Sequence, residues 1–70
     1  MIVEMKLQNN IKIFRAKHNM TQDILAQKIG VTRKTVNVIE AGKFSPSVSL
    51  ALSMAEVLKT TVDDLFYFED

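Results

Sequence analysis

Residues 21–43 read TQDILAQKIGVTRKTVNVIEAGK, two short helix-like segments on either side of one glycine. Thr21 is an N-cap residue, and Asp23 in the first turn faces the positive end of the helix dipole. Leu25, Ala26 and Ile29 form an apolar stripe. Gly30 follows, where a helix commonly ends in a left-handed residue. Val31 is apolar, Thr32 is the next N-cap, and a second helix runs from Arg33 to about Ala41, before Gly42. Only Gly30, Val31 and Thr32 separate the two helices. Helices so joined must cross steeply, which leaves the second one protruding.

On a wheel at roughly 100° per residue, Val36 and Ile39 of that second helix point one way, flanked by Thr35 and Glu40. Arg33, Lys34, Asn37, Val38 and Ala41 point the other way. Arg or Lys can donate to guanine O6 and N7, Asn can pair with adenine N6 and N7, and Val can touch a thymine methyl. An ordinary solvated face, with Val38 as a single exposed apolar residue, has the same wheel. The steep crossing favours the major-groove alternative. So does the start of the first helix, where Thr21 and Gln22 offer a phosphate contact.

Working outward, VEMKL at residues 3–7 alternates apolar and charged side chains, which is strand periodicity. Asn9 or Asn10 can cap a helix running to about His18, with Ile11, Phe14 and Arg15 on one face. KFSPS at residues 43–47 is a connector, with Ser45 as cap and Pro46 in the first helical position. The helix beyond it runs to about Lys59. Val48, Ala51, Leu52, Ala55 and Leu58 make one apolar stripe, and Leu50, Met54 and Val57 a second. So wide a surface covers more than one neighbour. Thr60 or Thr61 caps a last short helix through Asp63, Asp64, Leu65 and Phe66. The tail FYFED, residues 66–70, ends in aromatic side chains that need cover.

Seventy residues make one domain, with a core that is marginal unless its packing is very regular or a second copy extends it. There is no cysteine, so neither a disulfide nor a thiolate metal site is expected, and the cytoplasm is the default compartment. His18 is the one histidine; alone it cannot make a zinc site, and it reads as a solvated residue near a helix end. No nucleophile–base pair stands out, so no catalytic residue, metal or cofactor is expected. Asp63 and Asp64 read as helix-start carboxylates. Met20, Met54 and the C-terminal aromatics read as core or subunit surface rather than as a small-molecule box. MIVEMKLQNN at residues 1–10 has no long apolar run, so no signal peptide and no membrane span are expected. Charge is segregated. Residues 1–50 carry eight Lys or Arg against three acids, and residues 51–70 carry one against five. That suggests one face for a polyanion and an opposite end kept away from it.

The chain resembles the Cro/CI-type (Xre) helix-turn-helix regulators of phages and prokaryotes. The matching residues are Gln22, Leu25-Ala26, Ile29-Gly30-Val31, Thr32 to Val36, Ile39-Glu40 and Gly42-Lys43. Phe14-Arg15, Ser45-Pro46-Ser47 and Asp63 to Phe66 extend the likeness over about residues 9–66. The resemblance implies an all-α, five-helix, lambda-repressor-like domain spanning residues 1–70, with the helix-turn-helix at about 21–41. It implies that Gln22 contacts phosphate or an outer base, and that Thr32, Arg33, Lys34 and Thr35 supply base and phosphate contacts. Asn37 and Val38 would read further bases, and Gly42, Lys43 and Phe44 would lie along the backbone. It also implies a partly buried ion pair between Arg15 and Glu40. Two positions depart from the family pattern: residue 41 is Ala where Asn is frequent, and residue 38 is Val where some members carry a polar reader.

Two functions fit. One is a sequence-specific regulator, a repressor binding double-stranded DNA as a homodimer on a palindromic operator. The other is an antitoxin-type module that binds a partner protein and uses DNA binding for autoregulation. Dimerisation is expected through Leu50, Met54 and Val57 together with Phe66, Tyr67 and Phe68, with strand pairing between the two chain ends.

Overall fold

A computed structural model describes residues 5–69, in the order β1 (Lys6–Asn9), α1 (Ile11–Lys17), α2 (Gln22–Ile29), α3 (Arg33–Glu40), α4 (Val48–Val57), α5 (Val62–Leu65) and β2 (Phe66–Glu69). The five helices and two short terminal strands are those expected. The first strand lies further along than its alternation indicated: it starts at Lys6 and runs to Asn9, and Val3 and Glu4 lie outside the described residues. Its partner sets the register. β1 and β2 pair antiparallel, with Lys6 opposite Glu69, Leu7 opposite Phe68, Gln8 opposite Tyr67 and Asn9 opposite Phe66. Opposed residues share a face, so Leu7, Asn9, Phe66 and Phe68 line one side of the ribbon. Lys6, Gln8, Tyr67 and Glu69 line the other.

Four helices begin on hydroxyl caps. Thr21, Thr32, Ser47 and Thr61 each accept a hydrogen bond from the backbone N–H three residues on, of Ile24, Thr35, Leu50 and Asp64 respectively. The cap of α4 is therefore Ser47 and not Ser45, and Pro46 precedes the helix instead of opening it. With Leu7, Ala51 and Phe66, Pro46 lines the crevice beneath the strand pair. In that place it acts as the apolar residue before a cap that fixes the entry of the chain. At α1 the cap position is Asn10, but its side chain makes no cap bond. Asn9 Oδ1 accepts from Ile11 N at 3.1 Å, while Asn10 Nδ2 donates to the Asp64 carbonyl at 3.0 Å.

The same device ends the first four helices. Asn19, Gly30, Gly42 and Lys59 are left-handed, with φ of 54°, 75°, 76° and 56°. The next residue's N–H then bonds a carbonyl five positions back: Met20 to Arg15, Val31 to Ala26, Lys43 to Val38 and Thr60 to Ala55, at 2.9–3.0 Å. These bonds occupy carbonyls that would otherwise be unpaired at the helix ends.

Ile11, Leu25, Ala26, Val36, Ile39, Met54, Ala55, Leu58 and Leu65 form the core, and Phe14, Met20, Leu50, Val57 and Phe66 are among the partly buried side chains packed on it. Of the side chains expected at a subunit interface, Met54 is unavailable because it is wholly buried inside its own chain. Leu50 and Val57 are partly buried against the same core. The apolar residues that α4 leaves in solvent are Val48 and Leu52, at 77% and 56% exposure. His18 is likewise not simply solvated: half-buried, its Nε2 donates to the Leu58 carbonyl at 2.9 Å and links the end of α1 to the end of α4.

Candidate nucleic-acid interface

The placement of α3 begins with its two buried side chains. Val36 and Ile39 are 0% and 1% exposed. A helix rolled to bury that pair must turn Arg33, Lys34 and Asn37 outward, and all three are exposed. Thr35 and Val38 sit half-buried at the margin, and Ala41, Lys43 and Phe44 are exposed beyond the last turn. Thr21 and Thr32 are exposed caps. Thr32 Oγ1 also lies 3.1 Å from Thr35 Oγ1, so the two hydroxyls share a hydrogen bond at the head of α3.

One carboxylate organises the junction of α1, α2 and α3. Arg15 Nε donates to Glu40 Oε2 at 2.6 Å and Arg15 Nη2 to Glu40 Oε1 at 3.0 Å, a two-point contact between planar groups. Arg15 Nη1 donates to the Met20 carbonyl at 2.9 Å. The side chains of the pair are 12% and 10% exposed. Hydrogen bonding to Glu40 raises the Arg15 pKa above its ordinary value, with burial acting in the opposite sense. Glu40 Oε1 also accepts from Gln22 Nε2 at 3.2 Å, and Gln22 Oε1 accepts from Arg33 Nε at 3.5 Å. Arg15, Glu40, Gln22 and Arg33 thus form one chain of contacts from the interior to the tip of α3.

Two residues read in the sequence only as helix-start residues also contribute here. Asn9 Nδ2 donates to the carbonyls of Ile39 and Glu40 at 3.1 and 3.3 Å, fastening the last turn of α3 to the strand pair. Asp23 Oδ2 lies 4.0 Å from Arg33 Nη1, with both side chains about two-thirds exposed. Asp23 was legible as a first-turn acid, but the steep crossing that brings it to Arg33 was not resolved to single residues. The Asn9 contact spans about thirty positions of sequence, and no local spacing encodes it.

The whole of this frame, from α1 to α5, matches a helix-turn-helix family model over residues 11–65. The chain belongs to the helix-turn-helix family (HTH_3), of Cro/CI type. Among helix-turn-helix relatives, it is 44% identical over 64 residues to the "uncharacterized HTH-type transcriptional regulator MJ0272" of Methanocaldococcus jannaschii, covering 91% of this chain and 97% of that one. Among solved structures it superposes on a putative DNA-binding protein from Bacteroides fragilis with a TM-score of 0.79 and 26% identity, over 87% of this chain and 98% of that one. The clp gene regulator ClgR from Corynebacterium glutamicum gives a TM-score of 0.73 and 28% identity over 77% of this chain. The helix-turn-helix chain spans 57% of the length of ClgR.

No helix among the described residues is long and apolar enough to cross a membrane, and no group of His, Cys, Asp or Glu there could hold a metal ion.

Proposed function

We propose that this chain is a sequence-specific double-stranded DNA-binding transcriptional regulator, a repressor that acts as a homodimer on a palindromic operator. One observation carries the reading. α3 buries Val36 and Ile39 and presents Arg33, Lys34 and Asn37 to solvent, with Gln22 tied to the same face through Glu40. Family membership supports binding rather than catalysis, and the relatives named as transcriptional regulators support the same class. Arg33, Lys34, Thr35, Asn37 and Val38 read base edges. Thr21, Gln22, Thr32 and Lys43 hold the phosphates that set register. Repression needs only occupancy of a promoter, and the place of work is the cytoplasm, beside the chromosome.

Selection of bound duplexes from random DNA, followed by titration at several salt concentrations, tests this. The expected result is a two-fold symmetric site with half-sites about one helical turn apart, roughly 34–36 Å. Affinity should fall steeply with salt, because each neutralised phosphate releases condensed counterions. Binding no tighter to the selected site than to a scrambled duplex sinks the sequence-specific reading.

A further inference from the structure

The exposed ring of Phe44 is not explained by the fold. It is 56% exposed and stands outside the core, four residues past the end of α3. The chain nevertheless places it with care. Gly42 is left-handed at φ 76°, and Lys43 N bonds the Val38 carbonyl at 3.0 Å. That bond folds the loop back along α3, so that Phe44 shares a shallow notch of about 270 Å³ with Thr32, Lys34, Thr35 and Val38. Lys34 is exposed on its rim, and the exposed Arg33 and Lys43 are its neighbours in sequence. An apolar notch in so cationic a setting suits an apolar group carried by a polyanion better than the apolar face of a partner protein. In the major groove, the apolar group on a base edge is the C5-methyl of thymine; a cytosine methylated at C5 presents the same group.

We propose that the notch formed by Thr35, Val38 and Phe44 takes the C5-methyl group of a pyrimidine, making Val38 and Phe44 specificity-determining residues. The inference rests on the DNA-binding reading above and moves Phe44 from backbone tracking to base recognition. Val38 supplies a surface that makes no hydrogen bond, and Phe44 closes the side of the notch away from the helix. Lys34, exposed on the rim, remains free to reach a base edge of its own.

The experiment replaces each thymine of the selected operator in turn with deoxyuridine, which removes the methyl and nothing else. Affinities are read by fluorescence anisotropy with the full chain. Burying one methyl is worth ~0.8 kcal/mol, or about fourfold in affinity. One thymine in each half-site should lose about that factor, and a cytosine placed there should regain it on C5 methylation. Phe44→Ala and Val38→Ala should bind the thymine and uracil duplexes alike at that position. Phe44 is exposed, so Phe44→Ala retains the fold, and circular dichroism checks both variants. A site still bound specifically, and equally tightly, with uracil at every thymine overturns the notch. So does a methyl effect that persists unchanged in both variants. If no preferred duplex is recovered at all, the regulator reading falls, and the notch falls with it.

Discussion

Glu40 accepts from three donors, Nε and Nη2 of Arg15 and Nε2 of Gln22, and this makes it the residue on which both stability and the reading face depend. Glu40→Gln removes the charge and leaves the Arg15 guanidinium in a site where its side chain is only 12% exposed. Breaking one side of such a pair costs about 3–5 kcal/mol. Denaturant unfolding should show that loss, and the operator affinity of the remaining folded protein should fall too, because Gln22 loses its anchor. The pair's contribution through Arg15 has a fixed sign with pH. A raised arginine pKa gives stability that is fully present below the unfolded value and is lost only as pH rises through the folded one. Stability should therefore show no step from Arg15 between neutral and moderately alkaline pH. Further out on α3, Arg33→Ala and Asn37→Ala should relax specificity, each base contact being worth about 1–3 kcal/mol of discrimination. Lys43→Ala should weaken binding to all sequences alike. Titration of operator and scrambled duplexes separates the two behaviours, and an unchanged specificity ratio in Arg33→Ala removes that residue from the base-reading set.

At the scale of the helices, capping gives the sharpest test, because two serines compete for one role. Ser47 Oγ accepts from Leu50 N at 3.1 Å, so Ser47→Ala should cost about 1 kcal/mol. Ser45→Ala should stay within about 0.5 kcal/mol, as for an ordinary surface change. Equal losses in thermal unfolding would contradict the start of α4 at Val48. The same pair shows what could be read in the sequence and what could not. Thr21 and Thr32 each stand alone before an apolar stripe, and the starts of both helices of the helix-turn-helix followed from them. Ser45 and Ser47 flank a proline that is equally at home inside the first turn or just before it. The structure decides between the two by placing Pro46 in one crevice with Leu7 and Phe66, some forty residues before and twenty after. The roll of α3 was legible because Val36 and Ile39 sit among polar neighbours. The roll of α4 was not. Nearly every side chain there is apolar or small, so both stripes looked equally suited to the interior. The structure takes Ala51, Met54, Ala55 and Leu58 from across the two. The Arg15–Glu40 contact was legible only through family resemblance, since residues twenty-five positions apart share no local period.

At the scale of the whole molecule, an apolar surface lies open to solvent beside the paired strands β1 and β2. Val48 and Leu52 are exposed on α4, and together with Leu7 and Phe66 they line a crevice of about 300 Å³. Phe68 stands opposite Leu7 in the ribbon and is 49% exposed, so the apolar surface continues onto β2. A second copy meeting this surface across a two-fold axis would cover it and would pair two α3 helices on one operator. The acids of the C-terminal part, Glu56, Asp63, Asp64 and Glu69, would add no contact to the phosphates if that end faces away from DNA. Removing residues 66–70 is a poor test, because Phe66 packs on the core and β2 holds β1. Leu52→Lys and Val48→Lys change exposed positions instead and should leave folding intact. Sedimentation should show a dimer for the unaltered chain and a monomer for the variants. On DNA, the variants should bind an isolated half-site as well as the unaltered chain does, while losing the added affinity for the full palindrome. An unaltered chain that stays monomeric at hundreds of micromolar and fills half-sites independently would rule the dimer out. If the variants remain dimeric, the two-fold contact lies on another face, and the aromatic edge of β2 at Tyr67 becomes the surface to alter next.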